Sequence, residues 1–145
     1  MSIAVRYYTR SGNTEKLARA IARAVGEEAL DVSVPLEEKA DILFLGSSYY
    51  AFDVDDAVKQ FLAENKDKIG TVYNFGTAAL LNSTRKSVEK TAKEYGVTVA
   101  QAEFHCRGSF GVMHKGRPNE ADCKAAADFA RHIADKSERG QYERA

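Results

Sequence analysis

Between Thr9 and Thr14 the chain (TRSGNT) places three hydroxyl side chains, one amide and one glycine within six positions. At a junction of strand and helix, such a stretch is suited to holding an anion. The glycine lets backbone N–H groups turn toward one point, and the helix behind adds unpaired donors and the positive end of its dipole. A phosphate dianion fits this nest without a lysine counter-charge. The nucleoside-triphosphate loop GxxxxGK[ST] does not occur, and neither does the dinucleotide pattern GxGxxG. Ser, Asn and Thr are also ordinary helix caps. Capping uses one side chain, however, and four polar ones stand here.

Other reactive residues are scattered. His105 and Cys106 are adjacent at the end of a β-rich run, so their side chains point to opposite faces and a joined dyad is awkward. A packed small hydrophobe is the plainer role for Cys106. His114 and His132 have no metal-type partner at suitable spacing, and no metal is expected. Cys106 and Cys123 are too few and too far apart for a disulfide framework, so a reducing cytoplasm is expected. The chain has 21 Lys/Arg against 21 Asp/Glu, which argues against a nucleic-acid binder. Residues 1–72 carry 9 basic and 12 acidic side chains, and residues 73–145 carry 12 and 9. No apolar run approaches the length of a membrane span, and none resembles a signal peptide.

These residues need elements to position them. At 145 residues the chain suits one domain. Ser2–Tyr8 reads as a first strand. From Asn13 the period changes, and Leu17, Ile21 and Ala24/Val25 form a helical stripe. Leu30–Val34 reads as a second strand closed by Pro35. Asp41–Ser47 is a continuous apolar run, the mark of a strand buried on both faces. Asp53 is placed to cap a helix with the stripe Val54, Val58 and Phe61/Leu62. Thr71–Gly76 reads as strand four, Val88, Ala92 and Tyr95 mark the next helix, and Val97–Cys106 is strand five. Asn119 caps the last helix, with Asp122 in its first turn and Cys123, Ala126/Ala127, Ala130 and Ile133 facing inward. Strands alternating with helices imply a largely parallel sheet covered on both sides. Residues 1–136 are expected to form the domain, and 137–145 a charged, frayed tail.

The segment TRSGNT after an opening strand resembles the phosphate loop of the flavodoxin family. The resemblance covers residues 2 to about 136 and matches the short-chain form, which lacks an insertion in the fifth strand. It implies a three-layer α/β sandwich whose five-stranded parallel sheet has the order 2-1-3-4-5, with FMN at the point where the order reverses; flavodoxin is itself the standard example of that order. Thr9, Ser11, Asn13 and Thr14 would then hold the FMN phosphate through side chains and backbone, with Gly12 in the turn and Arg10 at its outer edge. The loop Gly46–Phe52 would be the first ring loop, contributing Ser48, Tyr49, Tyr50, Ala51 and Phe52, with Tyr50 against one face of the isoalloxazine. The loop Phe75–Ala79 would meet the pyrimidine end through backbone groups of Gly76, Thr77, Ala78 and Ala79. Many family members close the other ring face with a second aromatic there. This chain continues from Ala79 to Leu80, so partial cover by Phe110, with Met113 and His114, is expected instead. A second likeness, to a subset of short flavodoxin-like proteins, lies in Phe104–Gly108, Lys115–Asn119 and Asp122.

Two departures from the family bear on function. Ala51-Phe52 stands where a glycine often lets a peptide flip toward the flavin, so a less stable half-reduced form is expected. The chain is neutral where flavodoxins are commonly acidic, and Arg107, Lys115 and Arg117 beside the ring would favour the reduced anion. The expected role is a low-potential, monomeric FMN electron carrier that docks transiently to a reductase and an acceptor, with no membrane or nucleic-acid partner. The competing role is a small FMN-dependent oxidoreductase acting on a quinone or a porphyrinogen-type molecule. A phospho-receiver domain is excluded: Ser47 and Ser48 stand where it needs an aspartate, and no acidic pair follows strand one.

Overall fold

The change of period at Asn13 is a change from extended chain to helix. A computed structural model describes residues 1–50, 53–77, 83–108 and 114–138, with the backbone alone at Ser48, Tyr49, Tyr50 and Asp53. The elements in chain order are β1 (Ile3–Tyr7), α1 (Asn13–Val25), β2 (Ala29–Asp31), β3 (Ala40–Tyr50), β4 (Asp53–Val54), α2 (Asp56–Asn65), a 3-10 turn (Lys66–Lys68), β5 (Ile69–Thr77), α3 (Arg85–Glu94), β6 (Thr98–Val99), β7 (Phe104–Cys106) and α4 (Glu120–Glu138).

The parallel sheet has the order β2-β1-β3-β5, with β6 and then β7 along the outer side of β5. Thr71 and Val72 pair with Thr98 and Val99, and Phe75–Thr77 pair with Phe104–Cys106. β6 and β7 are therefore two pieces of one edge strand, and the expected order 2-1-3-4-5 is observed. The interruption has a cause in α3. Arg85 donates from Nε to the Ala100 carbonyl (2.7 Å) and from Nη2 to the Val99 carbonyl (3.3 Å).

The strand lengths differ from the sequence reading in two further places. β2 stops at Asp31 rather than Val34, because the Asp31 carboxylate accepts the Ser33 N–H (2.8 Å) and its carbonyl accepts the Val34 N–H (3.0 Å), which makes a turn. β3 continues three residues beyond Ser47, because β4 folds back on it antiparallel, pairing Tyr49 with Val54 and Tyr50 with Asp53. Asp53 is consequently a strand residue. The cap of α2 is Asp55, whose Oδ1 accepts the Ala57 N–H (3.0 Å).

Side chains alternate across the sheet and build two cores. On one face Leu43, Leu45 and Val72 meet Val58, Phe61 and Leu62 of α2 and Val88 and Ala92 of α3. On the other, Val5, Ile42, Phe44, Tyr73 and Phe75 meet Leu17 and Ile21 of α1 and Ala126, Ala130 and Ile133 of α4. Each fully buried Leu, Ile or Phe contributes roughly 1.5–3 kcal/mol of burial. At the start of α4, Asn119 Oδ1 accepts the Asp122 N–H (2.9 Å) while Asp122 Oδ2 accepts the Asn119 N–H (2.8 Å), a reciprocal capping box. The helix runs to Glu138, two residues past the expected domain boundary. Ser137 is buried there, its hydroxyl donating to the Ile133 carbonyl (2.9 Å). Residues 139–145 lie outside the described residues. Among the described residues no helix is long and apolar enough to cross a membrane.

Candidate functional site

The carboxyl ends of β1, β5 and β7 are staggered along β3, which runs on to Tyr50: Tyr7 pairs with Gly46, Ser48 with Thr77, and Thr77 with Cys106. The sheet order reverses between β1 and β3, the place where open α/β sheets bind ligands. Loop 9–14 occupies that place. Gly12, at the N-cap position of α1, has φ 87° and ψ −3°, the left-handed conformation in which a side-chain-bearing residue costs about 1 kcal/mol or more. A Cβ built on Gly12 meets no atom within 4 Å, so the space above the turn is open. Thr9 Oγ1 accepts the Gly12 N–H (2.9 Å), and Ser11 Oγ accepts the Asn13 N–H (3.4 Å). These bonds shape the turn before the helix begins.

Two neighbours complete the nest. Thr14 is fully buried, and its Oγ1 lies 3.3 Å from Thr77 Oγ1 at the end of β5. Asn13 is buried beside Gly108, where an added Cβ would come within 2.9 Å of Asn13 Nδ2 and 3.1 Å of Thr77 Cβ. The loop after β1, the end of β5 and the segment after β7 thus converge through hydroxyl, amide and backbone groups. That donor set suits a phosphate monoester held by neutral groups at a helix N-terminus. Gly108 carries no chemistry that marks it in the sequence. Its only signal there is its position two residues past a strand end.

Arg10 stands at the outer edge of the loop, as expected, but it has a partner across the site. Its Nε and Nη2 donate to Asp55 Oδ2 (3.1 and 2.5 Å), with side-chain exposures of 58% for Arg10 and 11% for Asp55. Burial pushes the Asp55 carboxyl up, but the Ala57 N–H and the Arg10 guanidinium outweigh it and hold the group below its ordinary value. This ion pair joins the loop after β1 to the cap of α2.

The expected ring loops are described in part. Residues 46–50, read as loop, are strand, so Ser48, Tyr49 and Tyr50 have their backbones fixed by pairing with β5 and β4. Gly76 is required by packing, since a Cβ there would lie 2.5 Å from the Ser47 carbonyl oxygen and 2.6 Å from Thr84 Oγ1. Thr77 faces the opposite side, toward Thr14. Ala51, Phe52, Ala78, Ala79, Leu80, Phe110 and Met113 lie outside the described residues. His114 sits at φ 48° in the turn preceding α4, where its carbonyl accepts the Arg117 N–H (3.0 Å).

At the end of β7, burial and then the charge of Arg107 push His105 down to about 4, so its imidazole is neutral at pH 7. Burial, reinforced by Asp122, pushes the Cys106 thiol up to about 12. The thiol is protonated and packs with the α1–α4 core, in keeping with its reading as a small hydrophobe. Arg117 donates from Nε and Nη2 to the two carboxylate oxygens of Asp122 (2.9 and 2.6 Å). No group of three metal-ligating side chains converges among the described residues.

Strand order, crossover helices and the loop at the reversal point together define the class: the chain has the short-chain flavodoxin-like fold. It superposes on a flavodoxin from the domain Archaea with a TM-score of 0.77 and 19% identity, over 95% of this chain and 99% of that one. Oxidised flavodoxin 1 of Bacillus cereus gives a TM-score of 0.66 and 20% identity over 93% and 98% of the two chains. The rubredoxin oxygen:oxidoreductase of Desulfovibrio gigas contains a similar unit, with a TM-score of 0.74 and 15% identity over 95% of this chain and 36% of that one. In sequence, an uncharacterized protein of Methanocaldococcus jannaschii is 29% identical over 135 residues, covering 83% of this chain and 89% of its own length. No family model matches the chain.

Proposed function

We propose that this chain binds FMN at the carboxyl ends of β1, β3, β5 and β7 and serves as an electron-transfer flavoprotein. The observation that carries this reading is the nest of residues 9–14. It combines a left-handed glycine at the N-cap of α1 with buried Asn13 and Thr14 and neutral donors at the reversal of strand order. Thr9, Ser11, Gly12, Asn13 and Thr14 would hold the phosphate. Ser48–Phe52, Gly76–Ala79 and Phe110 would flank the ring. The bound flavin supplies the redox chemistry; the protein supplies orientation and electrostatics. A carrier is favoured over an enzyme with its own substrate, because the Cys106 thiol at the end of β7 is packed into the α1–α4 core rather than offered as a nucleophile. The partners of such a carrier would be a reductase and an acceptor that dock transiently, in a soluble compartment.

The test is a titration of the flavin-free protein with FMN and with riboflavin, followed by flavin fluorescence, for the wild type and Asn13→Ala. In this reading Asn13 serves only the phosphate, so its loss should weaken FMN about tenfold and leave riboflavin unchanged. Equal weakening of both ligands, or no binding of FMN by the wild type, refutes the reading.

A further inference from the structure

The sheet order sends the chain from β2 to β3 across β1, and residues 32–39 make that crossing without a helix. Arg6 holds the crossing in place: its Nε donates to the Val34 carbonyl (2.9 Å) and its Nη2 to the Pro35 carbonyl (3.1 Å). Beside the crossing an open groove of about 610 Å³ lies against the amino-terminal ends of β1 and β3. It is at the end of the sheet opposite the anion nest.

The lining has the marks of a surface that something covers. It includes Met1 and Val34, the large hydrophobic side chains left exposed among the described residues (59% and 38%). It also gathers Glu27, Glu28, Glu37, Glu38 and Glu138, and none of these carboxylates has an ion-pair partner among the described residues. The basic lining residues are Lys39 and Arg6, and Arg6 is buried with its guanidinium turned to backbone carbonyls. Like charges crowded around an apolar patch favour an occupant that carries both cations and a large apolar side chain.

The chain itself contains such a segment. Glu138 is the last residue of α4 and lines the groove, so residues 139–145 begin at its edge. They read Arg-Gly-Gln-Tyr-Glu-Arg-Ala. Gly140 stands where a glycine commonly lets a chain turn aside after a helix. At about 3.4 Å per extended residue, Tyr142 can reach roughly 14 Å beyond Glu138 and Arg144 roughly 20 Å, enough to span a groove of this volume. We propose that segment 139–145 docks in this groove, with Tyr142 over Val34 and Met1 and with Arg139 and Arg144 against the glutamates. By composition alone the segment reads as a frayed tail; the groove gives its charges partners. Arginine suits the task because its planar fork meets a carboxylate with two parallel bonds. Tyrosine brings a large apolar body whose hydroxyl can stay in water. The docked segment ties α4 to the helix-free crossing, and it does so independently of FMN.

The experiment uses the full chain without flavin. In the isotope-labelled wild type, nuclear Overhauser contacts should join the Tyr142 ring to the Val34 methyl groups. In a mixture of labelled and unlabelled chains, those contacts should arise within one chain. Their absence, or their origin between two copies, overturns the proposal. Trypsin gives a second reading, because it cuts after Arg139 only when the segment leaves the groove. Tyr142→Ala should speed that cut about fivefold, and so should Glu28→Gln combined with Glu37→Gln, both at exposed positions. Cutting at the wild-type rate in both variants overturns the proposal.

Discussion

Acidification should weaken the fold through His105, and the size of the effect follows from its surroundings. Burial and the nearby Arg107 charge push the imidazole to about 4, against an ordinary value of 6.5. Between those values the unfolded chain binds a proton that the folded chain refuses. The stabilising contribution is therefore complete above pH 6.5, falls as the pH drops through the window, and is lost below about 4. From pH 7 to pH 5 linkage gives a loss of about 2 kcal/mol, and the partial solvent access of the imidazole reduces this to about 1 kcal/mol. Urea unfolding of the wild type and His105→Gln at the two pH values isolates the term, because glutamine does not titrate. The wild type should lose about 1 kcal/mol more than the variant on going to pH 5. Equal losses would show that the imidazole is not held neutral by the fold.

Substitutions at three positions test the surroundings of the nest. Gly46→Ala drives a Cβ into the buried Phe75 ring and to within 2.8 Å of Thr14 Cγ2, so it should destabilise by roughly 3 kcal/mol in thermal or urea unfolding. Gly108→Ala meets the flexible end of Asn13 at 2.9 Å. It should cost only about 1 kcal/mol of stability while weakening FMN more than riboflavin in the fluorescence titration. At Asp55, Ala removes both the helix cap and the bond from Arg10, whereas Asn keeps the cap. Asp55→Ala should lose about 1 kcal/mol and Asp55→Asn much less, and equal losses would show that the cap is not what Asp55 contributes.

Much of this architecture was legible because periodicity reports burial directly. The stripe Leu17–Ile21 and the continuous run Asp41–Ser47 each have a single physical reading, and both core faces follow from them. The nest was legible for a different reason: a glycine among hydroxyls and an amide, at a strand-to-helix junction, is chemistry that spacing alone exposes. The missed features depend on residues distant in the chain. Nothing near Val97–Cys106 announces that Arg85 takes the carbonyls of Val99 and Ala100 and interrupts the strand. Asp53 and Asp55 are equally good caps by type. The choice between them is made by the antiparallel return of β4, which recruits Asp53. Gly108 and Gly76 become significant only when a second strand supplies the atoms their missing Cβ would strike.

The outermost strands of the sheet are short. β2 spans three residues, and the opposite border is divided into pieces of two and three. A foreign chain seeking to extend the sheet finds no long ladder of open N–H and C=O groups on these borders, and the Arg85 guanidinium already occupies carbonyls within one of them. Backbone pairing between copies of the chain is thereby disfavoured at both borders, and in the proposed carrier role encounters would be governed by side chains.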